Sequence, residues 1–440
     1  MRFYDRTNEL AEIQRIQELS FSDHSRLTVV TGRRRIGKTS LIMKAVEDVP
    51  TIYLFVGRKN EAALCAEFIP VIAQALETYI PEEIKTFRSL FQYMMEFAIR
   101  TPFNLIIDEF QEFYNINESV YSDMQNIWDQ YRRKSRMNLI VSGSIYSLMQ
   151  KIFQNSKEPL FGRADNIIKL SAFDLPTLKE IMHDYHPQYT NDDLLALYTF
   201  TGGVPKYVEL FCDNSALSVD EMIAFMVRAN SPFTDEGKNM LIEEFGKNYG
   251  TYFSILSCIS GGINTQTEIE AALGEKSIGG QIRRLIEDYN IITRQRPILA
   301  KEGTQTIRYE ITDHFIRFWF NYFDRHRSLI EIKNFVGLQS IIKADYPTYS
   351  GKLLEAYFKQ QFAESFQYRA IGSWWEPKNN QNEIDIVALK LEKNRAVVAE
   401  VKRQKKNFKP ELLAAKVEHL KKKLLPKYQI ETMCLSLEDM

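Results

Sequence analysis

The sequence predicts an α/β protein of several domains, built on a parallel sheet flanked by helices. Two observations lead to this prediction. Residues 1 to about 170 alternate short apolar runs with longer helical patterns, which is typical of a parallel sheet with crossover helices. The chain has 440 residues, which is enough for two or three domains that each bury a core. We therefore expect one sheet domain followed by smaller units.

Five apolar runs are predicted to form this sheet. The predicted strands are residues 27–31, 52–56, 104–107, 138–142 and 167–170. The intervening helices include residues 38–46 and 61–78. These patterns do not determine the order of the strands in the sheet.

Two units are predicted to follow the sheet domain. Residues 174–228 show a purely helical pattern, interrupted by Thr201-Gly202-Gly203-Val204-Pro205, and we interpret them as a helical lid. Three helix-sized segments then precede two strands, which is the outline of a winged helix-turn-helix. The helices are predicted at residues 252–259, 265–273 and 277–288, and the strands at 292–296 and 306–311.

The end of the chain predicts another small α/β domain. A dense aromatic run at residues 315–323 precedes it and is expected to be a buried linker helix. The predicted elements are a helix at 352–366, strands at 383–389 and 396–401, and a basic helix at 410–425. The resulting domain boundaries are 1–172 for the sheet domain, 173–245 for the lid, 246–335 for the winged helix and linker, and 336–440 for the last domain.

Composition places the chain among ordinary globular proteins. Apolar residues make up 45% and charged residues 26%, and 56 Lys and Arg balance 57 Asp and Glu, so only local charge can indicate a polyanionic partner. Four cysteines lie far apart without metal-binding spacing. The charged start Met1-Arg2-Phe3-Tyr4-Asp5-Arg6 lacks the apolar run of a signal peptide, and we expect a cytoplasmic protein.

A phosphate-binding loop is predicted between the first strand and the helix that follows it. The pattern Gly32-x4-Gly37-Lys38-Thr39 occupies the context that a P-loop requires. Glycines let backbone N–H groups turn toward phosphates, Lys38 would reach the β and γ oxygens, and Thr39 would bind Mg²⁺. Ile36 and Ser40 complete the predicted nucleotide-binding segment. The alternative is an ordinary glycine turn.

A pair of acidic residues that could act on the nucleotide follows the predicted strand at residues 104–107. Asp108 would hold the Mg²⁺ hydration shell, and Glu109 would polarise the attacking water. The pair therefore indicates hydrolysis of the nucleotide. A surface acidic pair at a strand end is the alternative.

Several motifs taken in order resemble the archaeal-type ATPases, a branch of the AAA+ and STAND-like P-loop proteins. The matching segments are residues 3–10, the P-loop, 106–110, 141–144, 160–163 and 202–207. The resemblance implies that Arg6 lines the adenine pocket, that Ser142 or Ser144 senses the γ-phosphate, and that Pro205 closes over ATP. Arg163 is a candidate arginine finger. If it acts on the nucleotide of a neighbouring subunit, the protein must form a homo-oligomer. The alternative is that Arg163 forms a structural salt bridge. Arg33, Arg34 and Arg35 depart from the usual loop and must point outward or meet another partner.

The last domain resembles the PD-(D/E)xK nuclease superfamily. The motif residues are Asp385 in Glu383-Ile384-Asp385, then Glu400 and Lys402 in Glu400-Val401-Lys402. Glu-x-Lys occurs five times in the chain, but only this copy ends an apolar strand-like run. The resemblance implies that Asp385, Glu400 and the helical Glu355 bind Mg²⁺ or Mn²⁺ and that Lys402 activates water. Ile384 replaces the proline of the motif, and a degenerate fold used for binding is the alternative.

DNA is the expected partner of these modules. The recognition helix of the winged helix would carry Lys276, Gln281, Arg283 and Arg284, with Arg294 and Arg296 on the wing. The strongest local positive charge follows the Glu-x-Lys motif, at Lys402, Arg403, Lys405, Lys406, Lys409, Lys416, Lys421, Lys422 and Lys423. The alternative for the winged helix is an interaction or nucleotide-sensing module, and the alternative for the positive cluster is a solvated helix face.

The predicted function is therefore an ATPase whose nucleotide cycle controls a metal-dependent, nuclease-like domain acting on DNA. The first rival is a nucleotide-switched regulator with an inactive nuclease fold. The second is an ATPase whose later domains bind only protein partners.

Overall fold

The computed structural model describes residues 1–246, 249–274, 277–301, 303, 307–376 and 382–440. The chain divides into two compact units. One consists of Tyr4–Ala172, and the other of Met1–Phe3 together with Phe173–Met440.

The first unit is built on a five-stranded sheet in the order β2-β3-β4-β1-β5. All neighbouring strands pair in parallel, as the alternating pattern predicted. The strands are β1 (Arg26–Thr31), β2 (Thr51–Phe55), β3 (Phe103–Asp108), β4 (Met137–Ser142) and β5 (Asn166–Lys169). Each predicted strand is therefore present within one residue at either end. Every residue of β3 and β4 is buried, which explains the run of three aliphatic residues in the middle of each strand.

Seven helices of four or more residues accompany this sheet in the described structure. They are α1 (Thr7–Ser22), α2 (Lys38–Ala45), α3 (Glu61–Ala75), α4 (Phe87–Phe97), α5 (Phe113–Ile116), α6 (Ser119–Tyr131) and α7 (Tyr146–Gln154). The buried faces of α3 to α7 pack with β1 to β4 in one large apolar core. That core includes an aromatic group in which Phe110 lies 5.9 Å from Phe113 and 5.4 Å from Tyr121, measured between ring centroids.

The second unit begins with helices, as the sequence predicted. They are α8 (Leu175–Tyr185), α9 (Asn191–Thr201), α10 (Pro205–Asp213), α11 (Val219–Met226) and α12 (Glu236–Phe245). The predicted interruption is present, because α9 ends at Thr201 and α10 begins at Pro205. Between them Gly202 adopts a left-handed φ of 57°, and its position faces the ring of His314, so a larger residue would be strained there.

Three helices and a strand pair come next: α13 (Tyr249–Ser260), α14 (Gln266–Leu273), α15 (Gly279–Glu287), β6 (Ile292–Gln295) and β7 (Arg308–Ile311). β6 and β7 are antiparallel. Lys276 and Thr306, which the sequence assigned to the recognition helix and to the second strand, lie outside the described residues. The aromatic run forms α16 (His314–Phe318) and a π-helical turn (Trp319–Asp324), followed by α17 (Arg327–Glu331).

The carboxy-terminal part departs most from the prediction. Its first helix, α18, spans Phe335–Glu364 and not residues 352–366. The helix continues through Pro347 because Ile342, Tyr346 and Ser350 are buried on both sides of the proline. The described strands are β8 (Tyr368–Trp374), β9 (Ile384–Lys390), β10 (Arg395–Val401) and β11 (Gln429–Leu435), with α19 (Pro410–Lys423) before β11.

These four strands form one mixed sheet in the order β11-β10-β9-β8. β8, β9 and β10 are antiparallel neighbours, whereas β11 runs parallel to β10. β8 and β11 were not predicted, because many of their residues are only partly buried and show no clear alternation.

Among the described residues, no helix has both the length and the apolar character needed to cross a bilayer.

Candidate active site

The P-loop connects the carboxyl end of β1 to the first residue of α2. Gly32 has a φ of 152°, and a Cβ at this position would lie 3.0 Å from the Leu170 carbonyl oxygen. Gly37 has a left-handed φ of 88° and forms the N-cap of α2. Both glycines are therefore required by the backbone path. Ile36 is buried, whereas Ser40 is exposed in the first turn of α2.

Lys38 folds back across the loop. Its Nζ donates to the carbonyl oxygens of Gly32 at 2.9 Å and Arg33 at 3.1 Å, and the residue is buried. The ammonium group is thus held inside the turn, beside the amino end of α2, where the backbone N–H groups and helix dipole favour an anion. This arrangement fits the phosphates of a nucleotide.

Thr39 and Asp108 meet although they lie far apart in the sequence. The Thr39 hydroxyl donates to Oδ2 of Asp108 at 2.8 Å. Hydroxyl and carboxylate oxygens are the ligands that Mg²⁺ takes beside a bound phosphate, so this pair fits a magnesium ion. The predicted P-loop and the predicted acidic residue at the end of β3 are therefore in direct contact.

Asp108 is the centre of a buried hydrogen-bond network. Its Oδ2 also accepts the hydroxyl of Tyr53 at 2.8 Å, and its Oδ1 accepts the hydroxyl of Ser142 and, at 3.0 Å, the amide of Glu109. Burial alone would raise the pKa of Asp108, but the hydrogen bonds from Ser142, Thr39 and Tyr53 outweigh it and keep the pKa below its ordinary value. Asp108 is thus held as a carboxylate.

Glu109 directly follows β3 in a left-handed conformation with φ 55°. Its Oε2 accepts Nε2 of Gln111 at 2.5 Å and the hydroxyl of Ser144 at 2.8 Å. Ser142 and Ser144, which the resemblance assigned to the γ-phosphate, therefore contact the two acidic residues in this structure. Sensing of the γ-phosphate by either serine stays a prediction.

Arg6 and Arg163 have partners within the first unit. Arg6 is buried and donates to the Ser171 carbonyl oxygen at 2.5 Å, which ties the start of the unit to the segment after β5. Arg163 forms an ion pair with Asp129 at 3.0 Å, so the structure contains the salt bridge that was the alternative to an arginine finger. Pro205 occupies the first turn of α10 in the second unit. The predicted contacts of Arg6 with adenine and of Pro205 with nucleotide stay predictions.

A second polar cluster lies on the carboxy-terminal sheet. Asp385 on β9 and Glu400 on β10 lie on adjacent antiparallel strands. Lys402 Nζ lies 2.9 Å from Oε1 of Glu400 and 3.8 Å from Oδ2 of Asp385, and that Oδ2 accepts the amide of Val401 at 2.8 Å. The three predicted motif residues therefore converge.

Glu355 belongs to the same cluster. Burial, followed by the charge of Asp385, raises the pKa of Glu355 to about 7. Burial likewise raises the pKa of Asp385, and the charge of Glu400 adds to the effect. The cluster thus concentrates negative charge in a poorly solvated place, which a cation would relieve.

Lysines supply positive charge to this cluster. Besides Lys402, Lys416 on α19 places Nζ 3.3 Å and 3.2 Å from the two carboxylate oxygens of Glu400, a contact that the sequence did not predict. Within the described ranges, no group of three or more His, Cys, Asp or Glu side chains is arranged to hold a metal ion. The carboxylates fit a divalent cation in chemistry, but a metal would have to compete with two ammonium groups for Glu400.

Known proteins match most of the chain. A family model described as an ATPase domain predominantly from Archaea matches residues 3–211, and one described as archaeal and bacterial proteins of unknown function matches residues 319–416. A Methanocaldococcus jannaschii protein, named uncharacterized protein MJECL04, is 30% identical over 418 residues, covering 91% of this chain and 87% of its own length. The chain belongs to this family of archaeal-type ATPases.

The fold of this ATPase also has a counterpart among solved structures. The Walker-type ATPase PabY2304 of Pyrococcus abyssi aligns with a TM-score of 0.51 and 18% identity, covering 72% of this chain and 96% of that one. At this identity the likeness shows the fold alone. The prediction of a P-loop ATPase is confirmed, whereas the winged helix and the nuclease-like domain stay predictions.

Sequence reasoning missed three residues of these sites. Tyr53 reaches Asp108 because β2 is the neighbour of β3, and Lys416 reaches Glu400 because α19 packs beside β10. Gln111 lies two residues after Glu109, but its inward direction depends on the turn that follows β3. Only the sheet order, the packing of α19 or the turn geometry could have identified them.

Proposed function

We propose that this ATPase binds ATP with Mg²⁺ at the P-loop and hydrolyses it with Glu109 as the general base. Lys38 would bind the β and γ oxygens, and Thr39 and Asp108 would hold the metal and its water shell. The metal would supply charge neutralisation at the phosphates. The observation that carries this assignment is the 2.8 Å hydrogen bond joining Thr39 to Asp108.

The chemical step needs only a water molecule and a base. The water oxygen bonds to the γ-phosphorus, and the bond from that phosphorus to the bridging oxygen of ADP breaks. The water proton moves to the carboxylate of Glu109, which lies beside Asp108 at the carboxyl end of β3. Inorganic phosphate and ADP are the products.

Two variants test the ATPase assignment. Lys38→Ala should abolish nucleotide binding, because it removes the buried ammonium inside the loop. Glu109→Gln should bind ATP normally and lower kcat by about 10²- to 10⁴-fold, the usual contribution of a general base. Lys44→Ala, on the same helix but exposed, is the matched control and should leave both quantities unchanged. Unchanged turnover in Glu109→Gln would refute the base assignment.

We further propose that the nucleotide cycle controls a nuclease-like carboxy-terminal domain that acts on DNA. The mixed four-stranded sheet supports this proposal, as does the convergence of Asp385, Glu400 and Lys402 at one end of β9 and β10. Mg²⁺ or Mn²⁺ would be held by Asp385 and Glu400, with Glu355 as a further ligand. Binding of the metal would displace the ammonium group of Lys416 from the carboxylate of Glu400.

A physical link joins the helical lid to this domain within the second unit. Arg403, next to Lys402, donates Nη2 to both carboxylate oxygens of Asp192 on α9, at 2.9 Å and 2.8 Å. Tyr346 donates its hydroxyl to the same carboxylate at 2.9 Å. Any displacement of α9 during a nucleotide cycle would therefore be transmitted to the end of β10.

DNA contact is supported by exposed positive charge. Arg283, Arg284, Arg294 and Arg296 are exposed on α15 and around β6. Later in the chain, between the end of β10 and the end of α19, the exposed lysines include Lys405, Lys406, Lys409, Lys422 and Lys423. Exposed guanidinium and ammonium groups of this kind bind phosphate backbones in a salt-dependent manner.

The rival function is a nucleotide-switched binding protein with an inactive nuclease fold. The observation that favours it is the pair of lysines on Glu400, because Lys402 and Lys416 neutralise the carboxylate without a metal. Both functions predict DNA binding, but only the first predicts cutting.

Plasmid DNA separates the two functions. The full chain is incubated with plasmid and Mg²⁺ or Mn²⁺, with and without ATP, beside Asp385→Ala and Glu400→Ala. Glu392→Ala, in the exposed turn between β9 and β10, is the matched control. Cleavage lost in both site variants and kept in the control supports the nuclease. DNA binding without cleavage in the wild type supports the regulator.

A further inference from the structure

A buried glutamine holds the carboxylate to which we assign proton transfer. Gln111 lies in the short helical turn Phe110–Glu112 after β3, and its side chain has no exposure to solvent. Its Nε2 donates to Oε2 of Glu109 at 2.5 Å, and the Ser144 hydroxyl donates to the same oxygen at 2.8 Å. Two donors on one oxygen fix the orientation of the carboxylate.

The surrounding packing keeps Gln111 in this place. A Cβ at Gly143 would lie 2.1 Å from Oε1 of Gln111 and 2.5 Å from Sδ of Met149, so only glycine lets the end of β4 approach so closely. The hydroxyl of Tyr121 donates to the carbonyl oxygen of Gln111 at 3.4 Å. Both the backbone and the carboxamide of Gln111 are therefore constrained.

This arrangement carries two energetic costs. Oε1 of Gln111 is buried and accepts no hydrogen bond from the described residues, and an unsatisfied buried acceptor is destabilising. Glu109 also holds a left-handed backbone conformation that is unfavourable for a residue with a side chain. Stability of the fold does not account for either feature, whereas a requirement on the position of Glu109 accounts for both.

We infer that Gln111 is a positioning residue for ATP hydrolysis, acting through Glu109 with Ser144 as its second donor. By engaging Oε2, the two donors leave Oε1 of Glu109 to accept the proton of the attacking water. Among the described residues none donates a hydrogen bond to that Oε1. The inference rests on the proposed role of Glu109 as the base, and Gln111 itself touches no nucleotide.

Gln111→Met tests the inference in the full chain. Methionine keeps the length of the side chain and removes both the donor to Glu109 and the unsatisfied oxygen. We expect kcat to fall by about 10- to 100-fold, the usual effect of a misplaced catalytic group. The KM for ATP should stay within about threefold, and the melting temperature should be unchanged or higher. Gln154→Met, at the exposed end of α7, is the matched control.

A double-mutant cycle separates positioning from other effects. In a Glu109→Gln background, Gln111→Met should cause no further loss of kcat, because the group through which it acts is already removed. Ser144→Ala should lower kcat, and Ser144→Thr, which keeps the hydroxyl, should restore it.

Three results would overturn the inference. The first is an unchanged kcat in Gln111→Met. The second is a double variant whose loss of kcat equals the product of the losses in Gln111→Met and Glu109→Gln. The third is a Gln111→Met variant that binds ATP more weakly but keeps the kcat of the wild type. Full turnover in Glu109→Gln alone would instead refute the base assignment, so the two failures are distinguishable.

Discussion

Replacing Glu355 by glutamine should make the second unit more stable at pH 8 but not at pH 5. Glu355 lies on α18, where burial and the neighbouring charge of Asp385 raise its pKa from 4.5 to about 7. In the folded protein the carboxyl group therefore keeps its proton up to about pH 7, while in the unfolded chain it loses it near 4.5. Glutamine has a similar shape and never ionises.

The sign of the effect follows from proton binding. Between the two pKa values the folded state binds more protons than the unfolded state, so the free energy of unfolding of the wild type falls as pH rises through this window. At about 1.4 kcal/mol per pH unit, a rise from 4.5 to about 7 corresponds to up to about 3 kcal/mol lost by pH 8. Glu355→Gln should recover that amount.

Differential scanning calorimetry at pH 5 and pH 8 measures the difference. A gain of about 3 kcal/mol corresponds to several degrees in melting temperature for a domain of this kind. Glu418→Gln, on the exposed face of α19, is the control and should show no pH-dependent gain. An equal gain at both pH values, or none at pH 8, would refute the reasoning.

The same experiment with Mn²⁺ examines the metal site. If Glu355 is a ligand together with Asp385 and Glu400, Mn²⁺ at pH 8 should raise the melting temperature of the wild type and raise that of Glu355→Gln less. Equal shifts in the two proteins would remove Glu355 from the ligand set.

Three further substitutions follow from single contacts. Gly143→Ala should destabilise the first unit by about 1–3 kcal/mol and reduce ATP turnover, because its Cβ would lie 2.1 Å from Gln111; calorimetry and a phosphate-release assay measure both. Asp192→Ala should cost about 2–4 kcal/mol in the unfolding of the second unit, since it leaves the half-buried Arg403 without its carboxylate partner, and a urea titration measures it. Gly202→Ala should cost about 1–2 kcal/mol in the same titration because φ is 57° there.

The fold of the ATPase half could be predicted from the sequence because its strands and its P-loop are defined by residues close together in the chain. A strand buried on both faces is mostly apolar, and β3 and β4 each contain an uninterrupted run of three aliphatic residues. The P-loop needs its glycines, lysine and threonine at fixed spacing, since a single turn of backbone must surround the phosphates. The sequence was less informative for the carboxy-terminal part, where α18 continues through Pro347 because tertiary packing outweighs the local preference of proline.

Arg163 shows the limit of reasoning by residue type. The sequence left an arginine finger and a salt bridge equally open, because a guanidinium serves both roles. The ion pair with Asp129 on α6 decides what Arg163 contacts in this structure. That contact depends on how α6 and the segment after α7 are placed, which no local pattern encodes.

The sequence by itself identified the residues to which we assign the chemistry, which are Lys38, Thr39, Asp108 and Glu109. Each is defined by its neighbours along the chain, since a loop or a strand end is a local structure. Only the tertiary structure decided what holds them, through Tyr53 from the adjacent strand and Gln111 from a buried turn. Hydrogen bonds between side chains depend on distances in space, and these exist only after the sheet order and packing are set.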